Sequence, residues 1–214
     1  MASVFTALWP TVPSTPPKAG YSVWEIHVGI AEQEDWGPLT NLPGNPLMWI
    51  LILSEMLVFA AFFAIFSWQR ASERALFDSS QQLLDPVLGG VNTMILLTSG
   101  LFAAMSIQAI ADGKVQRCRQ LLGLTMGLGV VFCCIKTFEY IDKFSAGLTP
   151  ETNTFFSFYY LLTAFHFAHV IFGLGLLALA YWRTSRANVE TVTAFWHMVD
   201  LIWIMLYPLI YLLR

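Results

Sequence analysis

The stretch AFWHMVDLIWIMLYPLIYLLR, residues 194–214, places two ionisable side chains inside a run that is otherwise apolar. A run of about 20 mostly apolar residues is long enough to cross a membrane as a helix. His197 and Asp200 are three residues apart, so they share one helix face. Because a charged side chain near the centre of such a helix costs at least about 2.5 kcal/mol, we expect that face to point toward other helices. Pro208 in the same run predicts a kink or a loosened helix end.

The composition of the whole chain agrees with a membrane location. Hydrophobic residues make up 57% of the 214 residues and charged residues 12%, about half the charged fraction of an ordinary soluble domain. The net charge of −3 gives no indication of a nucleic-acid partner. The three cysteines form no C-x-x-C pair, and we interpret them as small apolar filling residues. A polytopic membrane protein is therefore predicted.

Five segments are apolar and long enough to cross a membrane. They run approximately over Leu47–Gln69, Gly90–Ala111, Leu121–Ile141, Phe155–Trp182 and Ala194–Leu213. Since helices satisfy their own backbone groups in hydrocarbon, we predict an all-α bundle of five transmembrane helices. Residues 1–46 are rich in Pro and Trp and end in the turn cluster NLPGNP. We therefore divide the chain into an extramembrane tail, 1–46, and a five-helix transmembrane domain, 47–214.

The orientation is predicted from Lys and Arg residues outside the apolar segments. Six lie on the side of the N-terminus: Lys18, Lys114, Arg117, Arg119, Arg183 and Arg186. Four lie on the opposite side: Arg70, Arg74, Lys143 and Arg214. The excess favours an N-terminus in the cytoplasm and a C-terminus in the periplasm.

Seven ionisable residues fall within the predicted spans, and we expect them to form an intramembrane polar network. They are Glu55, Lys136, Glu139, His166, His169, His197 and Asp200. At 1.5 Å per residue, their depths group Glu55, His169 and Asp200 in one layer. Lys136, Glu139 and His166 form a second layer, in which Lys136 and Glu139 can pair at i,i+3 spacing.

Three functions of this network remain open from the residues alone. The first is a set of hydrogen bonds that fixes the positions of the helices. Such bonds average only about 0.6 kcal/mol each in membranes, so the network determines geometry more than it adds stability. The second is a b-type haem held by His169 and His197, or a metal at the HFAH segment. The third is proton handling: Glu55 has no cation nearby in sequence, and a buried neutral carboxyl can relay protons.

The segments considered together resemble subunit III of haem–copper oxidases. The resemblance rests on ILSEMLVFAAFF, GGVNTMILLTSG, LGVVFCCIKTFEY, FYYLLTAFHFAHVIFGL and FWHMVDLIWIMLYPLIY, which follow one another in that order across residues 44–213. Within the family the chain is most similar to the five-helix, NorE-type branch associated with nitric oxide reductase gene clusters, and next to the quinol and cytochrome c oxidase subunits. In the fourth span, Phe165 stands where the family usually has a small residue before the first histidine, and Phe167–Ala168 replaces the common Gly-Leu.

The resemblance implies a function and a set of partners. Subunit III is a non-catalytic subunit with no haem or copper of its own; those groups belong to the catalytic subunit I beside which it packs. It encloses structural phospholipids in a cleft, here between helices 1–2 and helices 3–5, and supports assembly, stability and proton uptake. The chain is thus expected to be an accessory subunit, without catalytic, metal or cofactor residues, in a complex of the bacterial inner membrane that reduces oxygen or nitric oxide. The alternative is a stand-alone haem carrier or small transporter.

Overall fold

The computed structural model describes residues 46–213. The tail predicted over residues 1–46 lies outside this part except for Pro46, so the division into tail and membrane domain stays a prediction. The described residues form helices and contain no strand.

Six helices follow one another along the described part of the chain. Their bounds are α1 Pro46–Ser72, α2 Arg74–Gln81, α3 Pro86–Ala111, α4 Val115–Ser145, α5 Thr154–Trp182 and α6 Arg186–Tyr207. A π-helical turn, Pro208–Leu212, continues α6. Within the described residues, α1, α3, α4, α5 and α6 with its π-helical turn are each long and apolar enough to cross a membrane. The predicted all-α bundle with five transmembrane helices is therefore confirmed.

The observed helices extend beyond the predicted spans because capping side chains and polar first turns lie outside the apolar runs. Asp85 accepts hydrogen bonds from the backbone N–H groups of Val87 and Leu88, so α3 begins four residues earlier than predicted. Ser185 caps α6 in the same way through the N–H of Asn188. The segment predicted to be the loop between the first two spans contains the short helix α2.

The bundle is built around α6. Just over half of the α6 span is buried within the protein, 56%, against 17% for α1. The indole of Trp196 is fully buried between α4 and α5, where a Cβ atom on Gly129 or Gly173 would lie 2.9 Å from the ring. Its Nε1–H donates to Ser99 Oγ on α3 at 3.2 Å. Small residues thus let four helices approach one large aromatic side chain.

The predicted grouping of the helices is wrong. The first two spans, α1 and α3, were expected to pair across a cleft from the other three. Instead α3 packs closely on α4 and α6, and α1 packs mainly on α6 and scarcely on α3. The physical reason is the buried face of α3, where Ser99, Gly100, Ala103 and Ser106 are all small and admit its neighbours. The structure is a four-helix group, α3–α6, with α1 at its side.

One end of the bundle is closed by α2 and the π-helical turn. Phe77 of α2 is buried between Phe66 and Phe155, at ring centroid distances of 5.3 and 5.5 Å. Pro208 has no backbone N–H and cannot continue the α-helical hydrogen-bond pattern. The chain forms an i to i+5 bond there, from Leu213 N–H to Pro208 O at 2.9 Å. The helix end is thus altered at Pro208, as the sequence predicts.

Candidate functional site

Lys136 and Glu139 form an ion pair inside the bundle, as their spacing predicts. The distance from Lys136 Nζ to Glu139 Oε2 is 3.1 Å. Lys136 Nζ also donates to the hydroxyls of Tyr159 and Tyr211 at 3.1 and 2.8 Å. Both hydroxyls donate in turn to Glu139 Oε1, at 2.8 and 2.6 Å. These four residues, the lysine cluster, use all three ammonium donors and join α4, α5 and the π-helical turn.

Aromatic rings complete the enclosure of the ammonium group. Lys136 Nζ lies 4.7 to 5.5 Å from the ring centroids of Tyr140, Tyr159, Trp203 and Tyr211. Cation–π attraction of this kind strengthens when the cation is desolvated, and Lys136 is completely buried. The lysine cluster is therefore a closed and internally satisfied group.

His166 does not join the lysine cluster, although the depth estimate placed it in that layer. Its ring is fully buried, and neither nitrogen has a hydrogen-bond partner. It packs against Trp203, with ring centroids 5.1 Å apart, and against Phe132 at 5.9 Å. The Trp203 Nε1–H is directed elsewhere, to Thr93 Oγ1 at 2.9 Å. The predicted grouping failed because sequence depth does not fix the direction in which a helix presents a side chain.

Glu55 on α1 and His169 on α5 form the second polar pair. Glu55 Oε2 lies 3.1 Å from His169 Nε2, and His169 Nδ1 lies 2.8 Å from the carbonyl oxygen of Phe165. Because a carbonyl only accepts, Nδ1 carries a hydrogen. A hydrogen bond between Nε2 and Oε2 requires one proton, carried by the acid or by the imidazole. The pair can hold this proton in either place without a change in its total charge.

Asp200 does not join Glu55 and His169, which corrects the predicted layer. It lies on α6 with His197, at 3.7 Å between Asp200 Oδ2 and His197 Nδ1. Its Oδ1 is buried without a hydrogen-bond partner. Asp200 packs against Gly100 of α3, where a Cβ atom would overlap Asp200 Oδ2. Asp200 thus points into the bundle toward α3, as the opening segment predicts, whereas the side chain of His197 is 45% exposed and the prediction is wrong for it.

Two grooves border α1, one on each side. The α1–α5 groove has a volume of about 200 Å³ and is lined by Leu51, Glu55, His169, Phe172 and Phe195. The α1–α3 groove has a volume of about 520 Å³ and is lined in part by Trp49, Ile52, Met56, Ile107, His197 and Leu201. The first therefore exposes the Glu55–His169 pair, and the second exposes His197.

The predicted alternative of a haem between His169 and His197 requires the two imidazoles to face one site. They line different grooves, and each has a carboxyl group of its own at 3.1 or 3.7 Å. Across residues 46–213, no group of three or more His, Cys, Asp or Glu side chains is arranged to hold a metal ion. The geometry therefore gives this alternative no support.

Comparison with known proteins decides the family. The sequence profile described as "Cytochrome c oxidase subunit III" matches residues 44–214, which is the whole described bundle. The chain belongs to the cytochrome c oxidase subunit III family. Proteins of this family are non-catalytic membrane subunits of respiratory oxidases, and this subunit III chain is a multi-pass membrane protein.

Individual relatives agree with this assignment. The chain is 32% identical to cytochrome c oxidase subunit 3 of Synechocystis sp., over 77% of this chain and 73% of the relative. It is 31% identical to a probable cytochrome c oxidase subunit 3 of Rickettsia bellii, over 90% and 77%. It is also 26% identical to the cytochrome bo(3) ubiquinol oxidase subunit 3 of Buchnera aphidicola, over 77% and 84%. The family predicted from the sequence segments is confirmed, while these names do not distinguish the branch associated with nitric oxide reductase.

Sequence reasoning missed three residues that complete the polar groups of this subunit III chain. Neither the two tyrosines, Tyr159 and Tyr211, nor Gly100 was singled out from the sequence. The sequence did contain a signal for the tyrosines. A buried lysine has three N–H donors, and because Glu139 alone does not accept from all three, further side chains with acceptor groups were needed. No comparable signal marks Gly100, whose importance depends on the approach of α6 to α3.

Proposed function

We propose that this chain is the subunit III component of an oxygen-reducing terminal oxidase of a bacterial inner membrane. Its role would be to support the assembly, stability and proton uptake of the catalytic subunit. The names of the relatives favour oxygen over nitric oxide as the substrate of the complex. The haem and metal centres of the reaction would belong to the catalytic subunit.

The observation that carries the proposed role is the Glu55–His169 pair beside the α1–α5 groove. The side chains are 24% and 14% exposed, so they are partly open in a region where lipid or a partner subunit would cover them. A pair that shares one proton can accept or release another at small structural cost, because both heavy atoms already lie at hydrogen-bond distance. We assign to this pair a part in the delivery of protons to the partner.

The location of α1 supports the same role. It lies beside the four-helix group, and much of its surface consists of exposed apolar side chains such as Leu53, Leu57 and Trp68. An apolar helix face needs no polar partner in a membrane, so it can contact either lipid or another subunit. We propose that structural phospholipids fill the grooves beside α1 where the catalytic subunit does not cover them.

The first experiment isolates the tagged chain from its native membrane in mild detergent. We expect a large catalytic subunit with haem and copper to co-purify, with oxygen consumption in the purified fraction. Recovery of the chain alone would contradict the subunit proposal. Recovery with a subunit that contains haem and non-haem iron and reduces nitric oxide would instead place the chain in the other branch.

The second experiment tests Glu55 within that complex. We expect Glu55→Ala to leave assembly intact and to shorten the period of turnover before activity is lost, by about twofold or more. Glu55→Gln preserves the size of the side chain but cannot release a proton, so it should behave like Glu55→Ala. Ser54→Ala, at the exposed neighbouring position on α1, is the matched control. Equal inactivation rates in all four proteins would show that the carboxyl has no part in turnover.

The proposed orientation has its own test. An N-terminus in the cytoplasm follows from the excess of Lys and Arg at the ends of α3, α4, α5 and α6 on that side. Alkaline phosphatase fused after residue 214 should be active, and a fusion within residues 112–114 should be inactive. The reverse result would invert the chain in the membrane and leave the contacts within the bundle unchanged.

A further inference from the structure

A pocket lies at the end of the bundle where the chain turns from α3 into α4. The turn consists of three residues, 112–114, and the pocket beside it has a volume of about 220 Å³. It is lined in part by Met105, Gln108, Asp112, Lys114, Arg117 and Leu121. This α3–α4 pocket shares no lining residue with either of the grooves that border α1. It is therefore a separate site.

The polarity of the pocket lining changes along the helix axes. Asp112, Lys114 and Arg117 lie at the helix ends, and all three are exposed. Met105 precedes Asp112 by seven residues on α3, or about 10 Å along the axis, and Leu121 follows Arg117 by about 6 Å on α4. Both helices are long and apolar enough to cross a membrane. The pocket therefore extends from a charged rim at the membrane surface to an apolar floor on the hydrocarbon side.

The charges of the rim favour an anion. Lys114 Nζ lies 3.0 Å from Asp112 Oδ2, so these two side chains together carry no net charge. Across residues 46–213, the guanidinium of Arg117 has no ion-pair or hydrogen-bond partner. A guanidinium binds a phosphate group through two parallel N–H donors, and the amide of Gln108 adds a further donor. The rim thus matches a phosphate ester with one negative charge.

The apolar floor distinguishes a lipid from a free phosphate. Inorganic phosphate would occupy the rim and make no use of Met105 or Leu121, whereas a phospholipid places its acyl chains on them. The volume is below the roughly 300 Å³ at which pockets for whole drug-sized ligands begin. The pocket therefore encloses a headgroup and leaves the acyl chains in the bilayer.

The net charge of the rim distinguishes between phospholipids. A choline or ethanolamine headgroup adds a cation and leaves the lipid without net charge, so the charge of Arg117 would stay uncompensated. Phosphatidylglycerol carries one negative charge, and its headgroup hydroxyls can donate to the carboxylate of Asp112. We propose that the α3–α4 pocket binds the headgroup of an anionic phospholipid of the phosphatidylglycerol type, with its phosphate on Arg117 and its acyl chains on Met105 and Leu121.

This site differs from the phospholipids proposed to fill the grooves beside α1. Those grooves need only apolar chains, whereas the α3–α4 pocket selects the charge of the headgroup. The proposal does not depend on the role of Glu55 or on the identity of the partner subunit. Its failure would therefore leave the subunit proposal and its turnover test unaffected.

The test uses the intact complex in mild detergent, irradiated with phosphatidylglycerol that carries a diazirine near the carboxyl end of one acyl chain. Mass spectrometry of the digested subunit measures the label in residues 105–121. We expect label there, and about a tenfold lower yield in Arg117→Ala because the contact with the phosphate is lost. Absence of label from residues 105–121 in the unmodified complex would overturn the proposal.

The control separates this pocket from the general positive charge of this end of the bundle. Arg183→Ala removes the same charge at an exposed position outside the pocket lining. Residue 183 lies at the same end, since Arg119 Nε donates to Thr184 Oγ1 at 3.1 Å. The label should fall by less than about twofold in this variant, because salt screens a distant exposed charge. Equal yields in the Arg117 and Arg183 variants would overturn the proposal.

A second pair of variants leaves every charge in place. Gln108→Trp fills the pocket from α3 and should lower the label to about the level of Arg117→Ala. Gln116→Trp introduces the same side chain at an exposed position of α4 outside the lining, and it should label like the unmodified complex. Equal labelling of the two tryptophan variants would show that the probe does not occupy the pocket.

Competition in the unmodified complex identifies the occupant. Excess unlabelled phosphatidylglycerol should remove the label from residues 105–121, whereas phosphatidylcholine or inorganic phosphate at the same concentration should leave most of it. Equal competition by phosphatidylcholine would mean that the apolar floor alone binds lipid. Removal by inorganic phosphate would mean that the rim takes the phosphate group without a lipid. Either result would overturn the proposal.

Discussion

The lysine cluster and the Glu55–His169 pair are both charged or proton-sharing groups within one bundle, but the protein encloses them differently. The side chains of Lys136 and Glu139 are 1% and 3% exposed, and every partner comes from the four-helix group or the π-helical turn that ends it. Glu55 and His169 are 24% and 14% exposed, and one of them lies on the peripheral helix α1.

The difference shows how a membrane subunit separates structural from exchangeable polar groups. A closed ring of donors and acceptors fixes the helices that carry it, but it offers no path for a proton to enter. A partly open pair on a peripheral helix contributes less to stability and can interact with a partner. Variants of the closed cluster should therefore affect stability, and variants of the open pair should affect turnover.

Glu139→Ala should have the largest effect on stability. It leaves the ammonium of Lys136 buried without a countercharge, and removal of one partner from a buried ion pair costs about 3–5 kcal/mol. The free energy of unfolding of the purified chain, from SDS titration in mixed micelles, measures this loss. Glu151→Ala, at an exposed position, is the control and should change it by less than about 0.5 kcal/mol. Equal effects of the two variants would contradict the closed cluster.

Gly100→Ala should have the next largest effect. The added Cβ overlaps Asp200 Oδ2, so α3 and α6 must separate or the carboxyl must move, and overpacking of this kind costs about 1–3 kcal/mol. The same titration measures it. Gly127→Ala, where a Cβ meets no other atom within 4 Å, should be neutral or stabilise by up to about 1 kcal/mol. An unchanged free energy of unfolding in Gly100→Ala would mean that α3 and α6 are not closely packed at Gly100 and Asp200.

Tyr211→Phe should destabilise the bundle by about 1–2 kcal/mol. It removes one acceptor from Lys136 and one donor to Glu139, both at buried positions where an unmade hydrogen bond is costly. Tyr207→Phe removes a single hydrogen bond, to the carbonyl of Pro86 at a half-buried position, and should cost less. If the two variants lowered the free energy of unfolding equally, the π-helical turn would have no special part in the lysine cluster.

Glu55→Gln should have the smallest effect on stability. An amide can still hydrogen-bond with His169, and interhelical hydrogen bonds in membranes are worth only about 0.6 kcal/mol. We expect a change in the free energy of unfolding below about 1 kcal/mol, together with the loss of sustained turnover described above. A loss as large as that of Glu139→Ala would remove the distinction between the two groups.

Much of the fold follows from the sequence because the physical rules of the membrane are strict. Apolar runs of sufficient length predict the five spans, and the i,i+3 spacing predicts the contact between Lys136 and Glu139. Depth estimates also brought Glu55 and His169 together correctly. These predictions rest on distances along a single helix axis, which the rise per residue fixes.

The arrangement of the helices around one another could not be obtained in the same way. Depth placed Asp200 with Glu55 and His166 with Lys136, but neither contact forms, because the rotation of each helix is set by packing. That packing depends on Gly129 and Gly173, which admit Trp196, and on the small residues of α3. The peripheral location of α1 follows from the same close approach of α3 to α4 and α6, and periodicity alone does not reveal it.

The contribution of the last transmembrane helix to the lysine cluster has a consequence for biosynthesis. Lys136 and Glu139 leave the ribosome before Tyr159, and well before Tyr211. During that interval α4 holds its charged pair in the translocation channel or the lipid without the two hydroxyls that complete it. The cluster can close only when residues 208–212 have been made, so the charged interior of α4 is completed after α6 has entered the membrane.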